Sequence, residues 1–410
     1  MRYTTMAILA GLLLTSALPA AEQPKAEKSS APAEQLQELE QEIRKTRMKF
    51  YQEYVKAKSD KERQELRDEN KKRMHAYAHR ALELARKHAK EPVAVEALCC
   101  IITDVAYQGA GDEIETAFDL LRTDYITSDK LQRVCGMASL YDRVSAKPEP
   151  FLRAVLAKNP HREIRGYACY NLGLALQRQA SWAKQLRNPE RAKPWGQGLP
   201  REVVEHLKAS DPDKLLQEAE KRFEQTIAEY GDVEKNPIRG TLGDVAKAAL
   251  FEMRYLVIGK VAPEIEGEDL DGKPLKLSDY RGKVVVLNFW GNWCPHCRAM
   301  YPHERSLVKR LEDKPFALLG INSDSDKEKL KDVLKKEEIT WRSWWDGGGT
   351  GNPIARKWNV MGWPTVYVLD AKGVIRYRDV RGKELDEAVD ALLKEMVSGS
   401  DNKAANKNGE

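Results

Sequence analysis

Two cysteines, Cys294 and Cys297, stand two residues apart in Trp293-Cys294-Pro295-His296-Cys297. A pair so spaced can close a small disulfide or open to a dithiol. The apolar, β-branched run Val284-Val285-Val286-Leu287-Asn288-Phe289-Trp290 leads into it, and a helical run with Met300, Leu307 and Leu311 leads out. The sequence therefore places the pair where a strand ends and a helix begins. Unpaired N–H groups and the partial positive charge of a helix N-terminus favour a thiolate there. Two other uses of the pair compete with redox chemistry. A structural zinc site needs four ligands, and outside the motif only His303 is a nearby ligand of the right type. A purely structural disulfide is the other. The strand–motif–helix context favours a redox dithiol, and no metal or cofactor is implied.

The rest of the chain must position that pair. Its 410 residues suffice for two or three domains. Lys and Arg total 68 against 63 Asp and Glu, a net charge of +5 mixed along the chain. No basic patch is interleaved with stacking aromatics, so no nucleic-acid partner is expected. At the N-terminus, Arg2, the apolar run Met6 to Leu14, and the small residues Ser16, Ala17, Ala20 and Ala21 form a secretory signal pattern. Residues 1–21 are expected to be a signal peptide, cleaved near Ala20 or Ala21 or retained as an anchor. The protein is thus expected outside the cytoplasm, periplasmic or secreted, either free or membrane-tethered.

Residues 22–33 are polar and read as a flexible linker. From 34 to 259 the apolar spacing is helical almost throughout, as at Leu36, Leu39 and Ile43 or Ala78, Leu82 and Ala85. Helices are predicted near Ala94–Tyr107, Ile114–Leu121, Lys130–Tyr141 and Ile164–Ala180. Tyr167 to Ala175 and Glu218 to Gly231 resemble the two helices of a tetratricopeptide unit. Their separation is too long for one 34-residue unit, and Pro189, Pro194, Gly196, Gly198 and Pro200 suggest an insertion between them. An irregular helical array offering a partner-binding face and a plain bundle without one both fit. Cys99, Cys100, Cys135 and Cys169 fall in these helices. Each reads as a small buried hydrophobe, with a Cys135–Cys169 bridge the alternative.

From 260 to 397 short strands and helices alternate. Strands are predicted at Val284–Trp290, Phe316–Ile321, Thr365–Leu369 and Val374–Tyr377. Helices are predicted at Pro295–Leu311, Asp326–Glu337, Pro353–Trp358 and Lys383–Met396. Asp370-Ala371-Lys372-Gly373 reads as a tight turn. Residues 398–410 are polar and read as a disordered tail. The fold class expected is multidomain: an all-α N-terminal array followed by an α/β domain.

Several motifs of this last domain carry a family resemblance. Ala262-Pro263-Glu264-Ile265, Leu270-Asp271-Gly272-Lys273-Pro274 and Leu277 to Lys283 match an opening hairpin and first helix. Asn288 to Cys297 matches an active site, Pro302 a helix-bending proline, and Gly362-Trp363-Pro364-Thr365 a cis-proline loop. From about Val261 to Val397 the chain resembles extracytoplasmic thioredoxin-like thiol-disulfide oxidoreductases of the TlpA/ResA type. The resemblance implies a thioredoxin-like fold and exchange with protein thiols or disulfides through a mixed disulfide. Cys294 would be the nucleophile and Cys297 the resolving thiol. Trp363 and Pro364 would meet the substrate, and Pro295, His296 and Trp293 would tune the couple. A membrane electron donor or acceptor and a partner protein on the helical region are further implied candidates.

The chain departs from the pattern in three places. Asn288 stands where thioredoxin carries a buried aspartate. Met300 stands where some ResA-type members carry glutamate. Glu304 lies a turn further on, either as a substitute acid or as a solvated helix residue. Pro295-His296 resembles the DsbA-type dipeptide, and the roughly 150 mV between thioredoxin and DsbA makes that pair relevant to direction. Two other functions compete. One is a partner-binding helical scaffold with a redox-sensitive accessory domain. The other is a thiol peroxidase, which would need Thr or Ser where Gly291 stands and a proline where Leu287 stands.

Overall fold

The computed structural model describes residues 31–105, 111–187, 199–236, 240–347 and 353–407, with side chains as far as 398. The signal segment, most of the expected linker and the stretch from Pro189 to Gly198 lie outside the described residues. Helix α1 (Pro32–Lys56) begins inside the segment read as linker, because Pro32 at the first helical position loses no needed N–H. It buries Leu36, Leu39 and Ile43 against α2 (Asp60–Lys87), whose start is capped by Ser59 accepting the Glu62 N–H. Helix α3 (Pro92–Cys100) follows, continued by a wider turn over Ile101–Val105. Next come α4 (Asp112–Thr123), α5 (Gln132–Ala138), α6 (Pro148–Lys158), α7 (Arg162–Arg187), α8 (Arg201–Ala209) and α9 (Pro212–Tyr230). After a short β1–β2 pair (Glu234–Asn236 and Gly240–Thr241), α10 (Leu242–Tyr255) closes the helical region.

One apolar cluster runs through this region from Leu36 to Leu250. The two segments that resemble a tetratricopeptide pair lie on α7 and α9, and these pack together. Tyr170 and Phe223 meet at 5.8 Å between ring centroids. Gly173 lies under the Phe223 ring, where a Cβ would sit 2.7 Å from Cε1. All six cysteines are free thiols, and Cys169 Sγ meets the Arg222 carbonyl at 3.3 Å.

The chain leaving α10 runs directly onto the second domain. Gly259 N–H donates to Ile375 O and Ile375 N–H to Lys260 O, each at 2.8 Å. A hairpin of β3 (Glu266–Glu268) and β4 (Pro274–Lys276) precedes β5 (Val284–Trp290). There follow α11 (Pro295–Arg310), β6 (Phe316–Asn322), α12 (Lys327–Lys336), β7 (Ser343–Trp345) and α13 (Pro353–Lys357). The last elements are β8 (Thr365–Leu369), β9 (Ile375–Arg378) and α14 (Lys383–Lys407). The expected disordered tail thus continues α14 as far as Lys407, through a stretch with Ala404 and Ala405 and without proline.

The main sheet has the order β7-β6-β5-β8-β9, with β5–β6 and β6–β7 parallel and β5–β8 and β8–β9 antiparallel. Central β5 is buried at all seven positions. Val284, Val286 and Trp290 join one apolar cluster with α11 and α14, and Val285, Leu287 and Phe289 join another with Trp358 and Tyr367. Burial on both faces explains the continuous apolar run. Strand β7, too short to carry an alternating pattern, is the strand of this sheet that the sequence did not reveal.

The Gly173–Phe223 contact leaves no volume for a larger residue. Replacing Gly173 by Val should cost about 1–3 kcal/mol by overpacking. Urea unfolding followed by helical circular dichroism will register this as a lower midpoint at unchanged slope.

Candidate active site

Strand β5 ends at Trp290, and the next four residues turn the chain into α11. The turn is fastened from β6: Asn292 N–H donates to Asp324 Oδ2 at 2.8 Å, and Ser323 Oγ donates to Trp290 O at 2.9 Å. Gly320, opposite Asn288 on β6, is required here, since a Cβ would lie 2.5 Å from Trp290 Nε1. Cys294 then occupies the cap position of α11. Its Sγ accepts the Cys297 N–H at 3.4 Å and faces the Trp363 carbonyl at 3.5 Å.

The structure brings the sequence-predicted residues together around this sulfur. Trp363–Pro364 is a cis peptide. Arg381 Nη2 donates to Pro364 O at 2.8 Å and holds that loop from the β9 side. Trp293 is 51% exposed and packs edge-on against Trp363, with ring centroids 5.4 Å apart. Pro295 and His296 are exposed on the first turn of α11. Cys294 is 5% exposed and Cys297 1%. Burial drives the Cys297 thiol well above the usual range; the Gly291 backbone opposes this, and Cys294 and Glu304 add to it.

Glu304 is the candidate side chain that sequence reasoning left open. It is 1% exposed, which overturns the solvated-helix alternative. Its Oε1 accepts from Asn288 Nδ2 at 2.7 Å, while Glu304 Oε2 and Asn288 Oδ1 have no hydrogen-bond partner. Burial raises its carboxyl from 4.5 to about 7, with the Asn288 bond opposing. Protonation turns this carboxyl from an acceptor alone into a donor as well. The signal was present in the sequence: Cys297, Met300, Tyr301, Glu304 and Leu307 share one helical face, and all five are buried.

Comparison with known proteins converges on this domain. Residues 258–378 match the AhpC/TSA family. A thiol-disulfide oxidoreductase ResA of Bacillus thuringiensis is 30% identical over 140 residues, 34% of this chain and 79% of that protein. The thioredoxin-like protein YneN of Bacillus subtilis is 35% identical over 138 residues, 32% of this chain and 78% of that protein. The thiol:disulfide interchange protein DsbE of Vibrio cholerae is 30% identical over 154 residues, 36% of this chain and 79% of that protein. Among solved structures, a thiol-disulfide oxidoreductase from Bacteroides fragilis is 30% identical. It covers 33% of this chain and 99% of that one, with a TM-score of 0.30.

The buried acid gives stability a definite pH dependence. The native state holds a proton that the unfolded chain releases between pH 4.5 and about 7. Its stabilising contribution is therefore complete below pH 4.5 and is lost as pH rises through 7, a fall on the order of 3 kcal/mol. Glu304→Gln, a neutral isostere that keeps an acceptor for Asn288 Nδ2, should remove this slope and melt higher than wild type at pH 8. Thermal melts from pH 4 to pH 8 check it.

Proposed function

The chain belongs to the ResA-type thioredoxin-like thiol-disulfide oxidoreductases, and from that membership we propose that it exchanges disulfides with protein clients through Cys294 and Cys297. The observation that supports this reading best is the setting of Cys294 Sγ, between the Cys297 N–H and the Trp363 carbonyl at the mouth of an apolar rim.

In the reductive direction Cys294 attacks as thiolate, stabilised by the Cys297 N–H and the start of α11. An S–S bond forms to the client sulfur, the client's own disulfide breaks, and its second sulfur leaves as thiolate and takes a proton. Cys297 then attacks Cys294 Sγ, closing the internal disulfide and releasing the client as a dithiol. Before that attack Cys297 must lose its proton inside a buried site. We assign that proton to Glu304, buried on the same face of α11 as Cys297 and with its carboxyl raised to about 7. Asn288 holds the acceptor and cannot itself titrate. The oxidative direction runs the same steps backward.

Trp363 offers its carbonyl to an extended client segment, and the Trp293–Trp363 pair offers an apolar wall beside it. Pro295, His296 and Trp293, exposed beside Cys294, tune the potential of the couple. The signal pattern supports an extracytoplasmic location. The helical region supports client recruitment, since its last helix is continuous with the redox domain. A thiol peroxidase is disfavoured by Gly291 and Leu287, which stand where that chemistry needs Thr or Ser and a proline.

Cys294→Ser should abolish reduction of a protein disulfide such as insulin. Cys297→Ser should instead arrest the reaction as a stable mixed disulfide, visible by mass spectrometry as an adduct that dithiothreitol removes. Retained turnover in Cys294→Ser would overturn the reading.

A further inference from the structure

One carboxylate of the helical region reaches two residues of the redox domain. Glu252, on α10, accepts from Arg378 Nη1 through Oε1 at 2.6 Å and from Asn359 Nδ2 through Oε2 at 2.5 Å. Its side chain is only 14% exposed. Each oxygen therefore has its own donor in a partly dry setting, one of them a guanidinium, which makes the pair of bonds strong.

In sequence the two donors flank the Trp363–Pro364 loop. Asn359 lies at its upstream end, just past α13, with φ 50, a left-handed conformation that asparagine tolerates. Arg378 ends β9, next to Asp379 with φ 58. Asp379 N–H donates to Val366 O at 2.8 Å, and its Oδ1 accepts the Val366 N–H at 3.4 Å, two residues past Pro364. Arg378 also lies over the Tyr367 ring at 5.2 Å. The grip is backed by packing: Leu256, one turn beyond Glu252, is 1% exposed in the cluster that holds Trp358 and Val360.

We infer that Glu252 is a positioning residue for the thiol-disulfide site, by which the helical region fixes the Trp363 carbonyl against Cys294 Sγ. This rests on the dithiol reading above. The carbonyl lies 3.5 Å from the sulfur, so a loop shift of about 1 Å removes the contact and misaligns any client strand. A protein client that must lie along the loop depends on the grip. A small aromatic disulfide that meets Cys294 alone does not.

The test uses full-length protein with insulin as the protein disulfide and 5,5′-dithiobis(2-nitrobenzoate) as the small one. Glu252→Ala should raise KM for insulin about tenfold while kcat and the small-disulfide rate hold. Glu252→Gln, which keeps one acceptor oxygen, should recover part of the loss. Asn359→Asp, which suits the left-handed backbone but turns its bond into a repulsion, should reproduce the KM effect if Glu252→Ala folds poorly. Unchanged KM in both Glu252→Ala and Asn359→Asp overturns the inference. So does a parallel fall of both activities with the melting temperature, which marks a merely structural role. Wild-type protein inert toward both disulfides would instead remove the dithiol reading on which it rests.

Discussion

Placement of Cys294 at the cap of α11 is the constraint on which the site depends, and it is enforced from a distance. Strand β5 is buried at every position, clamped between β6 and β8, so its end cannot shift without disturbing both apolar clusters. Gly320 makes room for Trp290, Asp324 ties down Asn292, and the first turn of α11 presents its N–H groups to the sulfur. The loop with Trp363 and Pro364 is brought up from β8, the other neighbour of β5. The two halves of the site are therefore adjacent because their parent strands are paired.

Beneath the dithiol the protein keeps one acid in an apolar setting. Asn288 supplies Glu304 with one hydrogen bond, while Glu304 Oε2 and Asn288 Oδ1 are left without a partner. Such a carboxyl is held near neutrality at a cost in stability once ionised. That kind of cost is commonly concentrated where a titratable group has work to do. The asparagine on β5 and the acid two turns into α11 thus form one unit, although neither residue alone suggests it.

The domain that carries the chemistry was largely legible. Val284–Trp290 and Thr365–Leu369 occupy the spans their β-branched and apolar runs predict. The helix from Pro295 begins where the cysteine motif requires. What stayed hidden was hidden for physical reasons. Strand β7 has three residues, too few for a period. Glu304 stayed open because its charge argues for solvent while its helical face argues for burial. The grip of Glu252 on Asn359 and Arg378 joins residues more than a hundred positions apart in sequence, and local spacing carries no trace of such a pairing. In the helical region the two repeat-like segments do pack together, but the chain between them holds α8, which no spacing rule foretold.

The central claim is that Cys294 and Cys297 form one reversible two-electron couple at the end of β5. Equilibration in defined glutathione buffers, followed by tryptophan fluorescence, addresses it directly, because Trp290, Trp293 and Trp363 surround the pair. A single two-electron transition is expected between about −300 and −120 mV, the span from resistant structural disulfides to strong oxidants. Its position within that span would give the direction of exchange. The absence of any such transition in protein carrying both cysteines would mean that Cys294 and Cys297 are not a redox couple.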